Sequence, residues 1–512
     1  MISKILLLLI FFGVMVAVGV YSRRHASNVD GFVLGGRNVG PWLTAFAYGT
    51  SYFSAVVFVG YAGQFGYKYG LSATWIGIGN AVIGSLLAWV LLGRRTRIMS
   101  KHVKAKTMPD FFGKRYDSKA LRLAASAISF IFLIPYTASV YNGLSRLFGM
   151  AFDIPYEVCV IVMAALTCVY VILGGYMATA INDFIQGIVM LFGIVAVIAA
   201  VLNGQGGFMD AVFKLSEIPS DMPVTAGQPG AFASFFGPDP LNLLGVVILT
   251  SLGTWGLPQM VNKFYAIRDE KAVKTGTIIS TLFAVVISGG CYFLGGFGRL
   301  FDTAAIRNGN GGIIYDAIIP SMLSTLPDIL IGIVIVLVLS ASMSTLSSLV
   351  LTSSSTLTLD FIKGTIVKDM DEKKQLLWMR ILLVFFVVVS VVLALDPPVF
   401  IAQLMGISWG ALAGAFLAPF LYGLYCKWVT KAAVWASFAC GIGITVSNMF
   451  FKYIASPINA GAVAMIAGLA VVPLVSLVTP KMKKDKTESL FSCYEEKVTV
   501  EQKLVLTNKE NK

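Results

Sequence analysis

The sequence predicts an all-α polytopic membrane protein. Of its 512 residues, 57% are hydrophobic and only 13% are charged, whereas soluble domains average about 25% charged residues. The mean hydropathy is +0.81, and apolar stretches of about 20 residues, the length that crosses a bilayer, recur along the chain. Few polar stretches are long enough to form a soluble catalytic domain, so an enzyme of that kind is excluded.

Thirteen apolar stretches are predicted to cross the membrane, and we number them spans 1 to 13. The first has only Lys4 at its start and is followed by Arg23 and Arg24. This charge order is the reverse of that in a signal peptide, so span 1 is expected to remain as a helix. The spans lie at approximately residues 3–22, 42–62, 73–92, 123–146, 158–175, 183–202, 241–262, 276–298, 326–356, 377–395, 398–425, 430–451 and 460–479.

Lysine and arginine are concentrated in alternate loops, and the densest cluster, Arg94 to Arg122, follows span 3. Lys263 is assigned to the basic loop after span 7. The positive-inside rule places these loops and the C-terminus in the cytoplasm. Because the number of spans is odd, the N-terminus is expected on the outer side of the cell membrane. The net charge of +13 is therefore read as an orientation and lipid-headgroup signal, not a nucleic-acid site. The tail from Lys481 is predicted to be solvated and partly disordered.

Cysteine and histidine give no sign of catalysis or of a transition-metal site. The six cysteines show neither paired nor metal-type spacing, and His25 and His102 both lie in basic loops. The sequence therefore predicts a protein that is not an enzyme.

Two spans are interrupted by glycine in comparable positions, at Tyr48–Ala55 in span 2 and at Thr250–Pro258 in span 7. Glycines can simply allow close helix contact, but matched breaks in two halves indicate the central binding site of a transporter. Spans 2–6 and 7–11 are therefore predicted to be two repeats, with spans 1, 12 and 13 outside them. The predicted division of the chain is 1–40, 41–202, 203–240 (an outer loop), 241–425, 426–480 and the tail 481–512.

Span 9 ends in a run of hydroxyls, Ser340 to Ser348, continued by Thr352 to Thr356. Such residues can bond to their own backbone or hold neighbouring helices together. At helical spacing, however, one face of the helix carries small, oxygen-rich side chains and the opposite face is apolar. We interpret this face as a sodium site; its members are Ala341, Ser344, Thr345 and Ser348.

Asp183 is an acid at the start of span 6. It could be a helix N-cap. An acid inside a membrane is also a candidate functional residue when a partner can be named, and here the named partners are Ser347 and Ser348.

At these positions the chain resembles the sodium/solute symporter family, which includes bacterial proline and pantothenate symporters and animal sodium/glucose transporters. The resemblance covers about residues 1–480 as an ordered set of short motifs. These motifs are Gly31–Arg37, Gly174–Gly175 before Asn182–Asp183, Gly256–Pro258, and Met343–Ser347.

The resemblance implies a leucine-transporter-like fold with inverted five-helix repeats and about thirteen helices. It also implies a sodium site between spans 2 and 9, formed by the carbonyls of Thr50, Phe53 and Ala341 with the hydroxyls of Ser344 and Thr345. Some relatives have a second sodium site on the cytoplasmic side, and its pattern maps to Asp183, Ser344, Ser347 and Ser348. One or possibly two sodium ions are expected.

The implied function is sodium-coupled import of a small organic solute by a protein that works as a monomer. The proline symporter has an aspartate where this chain has Tyr52, and several motifs are closer to the pantothenate branch. A carboxylate is favoured, such as pantothenate, a monocarboxylate or an amino acid; the alternatives are a sugar or other neutral solute, or a transporter-like nutrient sensor. The solute is expected against Ser54, Val57, Gln64, Thr254, Trp255, Pro258 and Gln403.

Overall fold

The computed structural model describes residues 2–152, 155–367, 370–396 and 399–495. Across these residues the chain is almost entirely helical, and its only two backbone bridges are isolated pairs, Val39 with Ile267 and Arg307 with Ile313. The predicted all-α class is confirmed.

Spans 1 to 6 coincide with helices, some of them interrupted. Span 3 continues past its predicted end through Arg94–His102. The bounds are Ile2–Ser22 for span 1; Pro41–Tyr52, Val56–Tyr61 and Ala62–Tyr69 for span 2; Thr74–Gly79, Asn80–Leu87 and Trp89–Gly93 for span 3; Lys119–Phe152 for span 4; and Tyr156–Gly204 for spans 5 and 6.

Spans 7 to 13 form the second half of the bundle. Span 9 continues beyond its predicted end in wider helical turns, Leu357–Ile366. The bounds are Pro240–Leu252, Gly253–Gly256 and Pro258–Ala266 for span 7; Glu270–Gly295 for span 8; Asp328–Thr356 for span 9; Glu372–Leu395 for span 10; Ile401–Tyr425 for span 11; Lys431–Phe451 for span 12; and Pro457–Val478 for span 13.

Within the described ranges, ten helices are long and apolar enough to cross a membrane, or eleven if the bent pair in span 7 counts as one span. Two of the ten, with 47 and 49 residues, are each about twice the length that a single crossing needs. They coincide with spans 2–3 and spans 5–6. The count of thirteen stays a prediction.

The 49-residue helix is broken at Gly175, where φ is +53° and ψ is −145°. This backbone conformation is accessible almost exclusively to glycine. A β-carbon there would also lie 2.9 Å from the carbonyl oxygen of Phe32. Glycine is therefore required both by the turn and by the neighbouring segment.

Both predicted helix breaks are present. Span 2 loses helical geometry at Phe53 and Ser54 and is helical again from Ala55. Span 7 passes through the tight turn Gly253–Gly256 and bends by 47° before Pro258. Each break leaves one helix C-terminus and one helix N-terminus inside the bundle, with the partial charges that helix ends carry.

At the end of the bundle that carries the basic loops, here called the basic end, a backbone bridge joins the segment before span 2 to the segment after span 7. The Val39 amide donates to the Ala266 carbonyl at 3.2 Å, and the Arg268 amide donates to the Val39 carbonyl at 2.9 Å. Arg97 adds hydrogen bonds to the carbonyls of Ile267 and Arg268. The start of span 2 is thereby tied to the end of span 7.

The basic loops are more than orientation signals. Arg115 is fully buried and donates to the carbonyls of Gly423 and Cys426, each at 2.8 Å. A cation that binds the last carbonyls of a helix satisfies both their hydrogen bonds and the helix dipole. This arginine is a structural cap on span 11.

The described part of the tail is largely exposed, as a solvated tail would be, but it is ordered and its end packs against the bundle. Residues Lys484–Phe491 form a helix, and Phe491 and Cys493 are buried. The Arg95 guanidinium stacks 4.6 Å from the ring of Tyr494. The ring of Phe491 likewise lies 5.1 Å from the guanidinium of the buried Arg115; residues 496–512 lie outside the described residues.

At the opposite end, the segment between spans 8 and 9 contains a buried acid, Asp316, which is 2% exposed. One carboxylate oxygen accepts a hydrogen bond from the Ile401 amide at 3.3 Å, at the N-terminus of span 11. Burial raises the pKa of Asp316 to about 6, although this hydrogen bond and Arg146 act in the opposite direction.

We expect Asp316→Asn to stabilise the protein at pH 7.5 but not at pH 4.5. Between about pH 4 and 6 the folded state binds more protons here than the unfolded state, so stability falls as the pH rises, by up to about 3 kcal/mol. Asparagine keeps an acceptor for the Ile401 amide. Melting temperatures at both pH values test this, with Asp371→Asn, at an exposed N-cap, as the control. An equal gain at both pH values would contradict it.

Candidate functional site

The break in span 2 presents backbone carbonyls to the hydroxyl face of span 9. Ser344 Oγ donates to the carbonyls of Thr50 and Ala341, both at 3.0 Å. Thr345 Oγ1 lies 3.2 Å from the Thr50 oxygen, 3.3 Å from that of Ser51 and 3.1 Å from that of Ala341. Three carbonyls and two hydroxyls therefore converge at one place.

These oxygens are buried and uncharged, and they lie at the C-terminal, negative end of the first helix of span 2. Thr50, Ser344 and Thr345 are fully buried, and Ala341 is 2% exposed. Hard cations prefer such oxygens, and the helix end adds a favourable dipole. The cluster, here called the carbonyl cluster, is chemically suited to sodium.

The carbonyl cluster differs from the expected ligand set at two residues, Phe53 and Ser51. Phe53 is buried at the break and its amide still donates to Gly49, so its carbonyl stays a predicted ligand. Ser51 contributes a carbonyl that sequence reasoning missed, although its position just before the break was the available signal.

A second cluster lies beside the first, toward the basic end, and it contains an unexpected cation. The Lys263 ammonium lies 3.6 Å from Asp183 Oδ2 and donates to Ser348 Oγ at 2.9 Å. It also lies 5.3 Å from the ring centroid of Tyr176. Ser348 Oγ is 2.7 Å from Ser51 Oγ, which links the two clusters.

The assignment of Lys263 to a loop is wrong. Its side chain is 3% exposed, and that of Asp183 is fully buried. Lys263 belongs to the helix Pro258–Ala266, one turn before its end, so the helix directs the ammonium into the bundle. Ser347 donates to the Ser344 carbonyl in its own helix at 2.9 Å.

The expected solute residues of span 2 line its second helix. Ser54, Val57 and Gln64 are all buried. Ser54 Oγ accepts from the Val56 amide at 3.2 Å and so begins this helix. Gln64 Oε1 is buried and has no hydrogen-bond partner among the described residues, which leaves it available to a ligand.

In span 7, the polar atoms of two expected solute residues bind span 3. Thr254 Oγ1 donates to the Gly84 carbonyl at 3.1 Å, and Trp255 Nε1 donates to that of Ile83 at 3.0 Å. Pro258 begins the helix after the break. Gln403 is half-buried in the first turn of span 11. The structure therefore holds Thr254 and Trp255 against span 3, and their contact with the solute stays a prediction.

Sequence reasoning missed two aromatic residues that lie between the breaks. The Trp409 ring is 6.0 Å from that of Tyr52 and 5.8 Å from that of Tyr136, and a β-carbon on Gly253 would meet it at 2.6 Å. The Tyr136 hydroxyl lies near Ser54 and Trp409. Neither the Tyr136 hydroxyl nor Trp409 Nε1 has a hydrogen bond of ordinary geometry in the described structure.

The two breaks are also joined directly. The Tyr52 hydroxyl donates to the Thr250 carbonyl. Tyrosine at this position therefore holds span 2 against span 7. No signal in the sequence indicated this partner.

Comparison with known proteins identifies the family. A family model described as the sodium:solute symporter family matches residues 32–441. The chain belongs to the sodium:solute symporter family. The sodium/proline symporters of Staphylococcus aureus strains JH9 and USA300 are each 29% identical over 494 residues, which cover 94% of this chain and 92% of the relative.

Solved structures agree on the fold. A sodium-coupled sialic acid symporter in a substrate-bound outward-open state matches with a TM-score of 0.76 at 15% identity, covering 94% of this chain and 98% of that one. Mhp1, a nucleobase-cation-symport-1 family transporter in a closed conformation, matches with a TM-score of 0.54 at 11% identity, covering 90% and 97%. The leucine-transporter-like fold is confirmed.

Family membership establishes the class of activity. The protein is a multi-pass membrane protein and a secondary transporter, not an enzyme, and it couples sodium to the import of a solute.

Proposed function

We propose that sodium binds at the carbonyl cluster and that its binding supports capture of a small carboxylate at the breaks of spans 2 and 7. The observation that carries the sodium site is the convergence of the Ser344 and Thr345 hydroxyls on the Thr50, Ser51 and Ala341 carbonyls. When sodium enters, the two hydroxyls rotate their protons away and present lone pairs. Phe53 supplies a further carbonyl from the break.

A carboxylate fits the helix ends on the solute side of the site. The helices that begin at Val56 and Pro258 start inside the bundle, and helix N-termini attract anions. The Tyr136 hydroxyl and Trp409 Nε1, neither of which has a hydrogen bond of ordinary geometry among the described residues, can donate to the same group. Proline is the solute named for the S. aureus relatives; pantothenate, a monocarboxylate or another amino acid has the same carboxylate.

Orientation follows from the basic end, which we place in the cytoplasm by the positive-inside rule. Solute and sodium then enter from the opposite end. Release requires the Val39 bridge to Ala266 and Arg268 to open, because it ties the entry of span 2 to the end of span 7 at the basic end. The protein acts as a monomer in the cell membrane.

The test is a thermal-shift screen of purified protein with carboxylates and sugars, each with and without sodium. Any ligand that binds only the folded state raises the melting temperature. We expect a carboxylate to stabilise the protein in sodium but not in potassium. Stabilisation by a sugar alone would contradict the solute class, and equal stabilisation in both salts would contradict the coupling.

Tyr136→Phe is expected to raise the KM for the solute about 10-fold while slightly stabilising the empty protein. It removes a donor to the solute, worth roughly 1–2 kcal/mol, and also removes an unpaired buried hydroxyl. Tyr141→Phe is the control, because its hydroxyl is also buried without a hydrogen bond of ordinary geometry to the described residues, about one and a half helical turns further along span 4. Uptake kinetics and melting temperatures separate the two variants; an unchanged KM in Tyr136→Phe would remove this tyrosine from the site.

A further inference from the structure

We propose that the Lys263 ammonium is a built-in second cation, which occupies the position that a second sodium ion would take and limits the transporter to one sodium. The inference rests on the proposed sodium site only for the location of the first ion. The lysine belongs to the last helix of span 7, and its polar contacts are with Asp183 in span 6 and Ser348 in span 9.

The first argument is charge. Asp183 is fully buried, and an ionised carboxylate inside a bundle requires a compensating cation. The Lys263 ammonium at 3.6 Å supplies that charge. A sodium ion bound to the same carboxylate would add a second positive charge beside the first, and the two cations would repel each other strongly at this separation.

The second argument is position. The ammonium contacts Asp183 and Ser348, which are two of the four residues expected to form the second sodium site. The other two are engaged elsewhere: Ser344 Oγ bonds to the carbonyls of the carbonyl cluster, and Ser347 Oγ bonds within its own helix. Lys263 therefore fills the place between Asp183 and span 9.

The third argument is connection to the first cluster. Lys263 donates to Ser348, Ser348 shares a hydrogen bond with Ser51, and the Ser51 carbonyl accepts from Thr345. Since Ser348 is held by the ammonium, the hydroxyl of Ser51 has a fixed partner. The lysine thereby helps to position the carbonyls at the break of span 2 through Ser51.

The surroundings leave room for an ion when the lysine is shortened. A small cavity lies beside the ammonium, and its polar lining includes Tyr176, Thr179, Gln259 and Asn262. The Tyr176 hydroxyl, the Gln259 amide and Asn262 Oδ1 are buried without hydrogen-bond partners in the described part of the chain. These oxygens, with the freed Asp183 carboxylate, could coordinate sodium.

The test counts radioactive sodium ions bound per protein molecule in nanodiscs, which needs no solute. We expect one ion for the wild type and two for Lys263→Ala. The double variant Asp183→Asn/Lys263→Ala should bind one, because it lacks the carboxylate that attracts the extra ion. Lys68→Ala is the matched control and should bind one; this lysine also faces an aromatic ring, at 4.9 Å from that of Tyr315.

Two ions bound to the wild type, or no additional ion in a folded Lys263→Ala protein, would overturn the proposal. If Lys263→Ala does not fold, the wild-type count decides. The proposed sodium site is tested separately by Ser344→Ala/Thr345→Val, which should lose the first ion. Retention of that ion would refute the carbonyl cluster as the site, while the extra ion in Lys263→Ala would still support the role of the lysine.

Discussion

Replacing Ser344 by alanine and Thr345 by valine is expected to raise the sodium concentration for half-maximal uptake by at least about 100-fold. Each hydroxyl bound to an ion is worth roughly 1.5–3 kcal/mol, and 1.4 kcal/mol corresponds to a factor of ten in affinity. Both side chains are fully buried against the break of span 2, so water cannot easily replace the lost oxygens. Uptake of labelled solute at a series of sodium concentrations provides the measurement.

The control for this pair is Ser342→Ala. Ser342 is fully buried in the same helix, but its hydroxyl bonds to the Val338 carbonyl of that helix at 2.7 Å. Its loss removes a similar hydrogen bond without touching the carbonyl cluster. If Ser344→Ala/Thr345→Val kept the sodium affinity of Ser342→Ala, the carbonyl cluster would not be the coupling site.

Gly175→Ala is expected to destabilise the protein by about 2–4 kcal/mol and to reduce the amount of folded protein. The positive φ alone costs about 1–3 kcal/mol for other residues, and the added carbon would lie 2.9 Å from the Phe32 carbonyl oxygen. Since backbone atoms cannot rotate aside, either the turn between spans 5 and 6 or the segment at Phe32 must move. Melting temperature and yield of monodisperse protein measure the effect.

Gly443→Ala is the matched control, because it lies within the helix of span 12 and a β-carbon there meets nothing within 4 Å. Alanine should be neutral or stabilising in such a place. Equal melting temperatures for the two variants would show that the break at Gly175 is not a constraint on the fold.

The sequence predicted features that depend on local pattern. Apolar length placed the spans, matched glycines placed the breaks, and helical spacing put Ser344 and Thr345 on one face. These features are encoded within a few turns of chain. The contact between that face and Thr50 depends on packing between distant segments, and it came from the family resemblance rather than from spacing.

Lys263 shows why the other contacts of the candidate site could not be predicted from the sequence. A lysine just past a predicted apolar span is indistinguishable in sequence from a loop residue, and the rotation of a nine-residue helix decides which way it points. Tyr136 and Trp409 were missed for a related reason. Aromatic residues in apolar spans usually pack in the core, and only the three-dimensional arrangement shows that their polar atoms lack partners.

The packed tail has a consequence for the order of folding. Tyr494 contacts Arg95 and the C-terminal end of span 11 at Leu424, and Arg115 stacks 5.1 Å from the ring of Phe491. The two arginine contacts join positions 376 and 399 residues apart, so they can form only after the ribosome has synthesised every span. The arginines of the loop after span 3 must therefore wait, solvated or held by lipid headgroups, until translation of the last helix is complete.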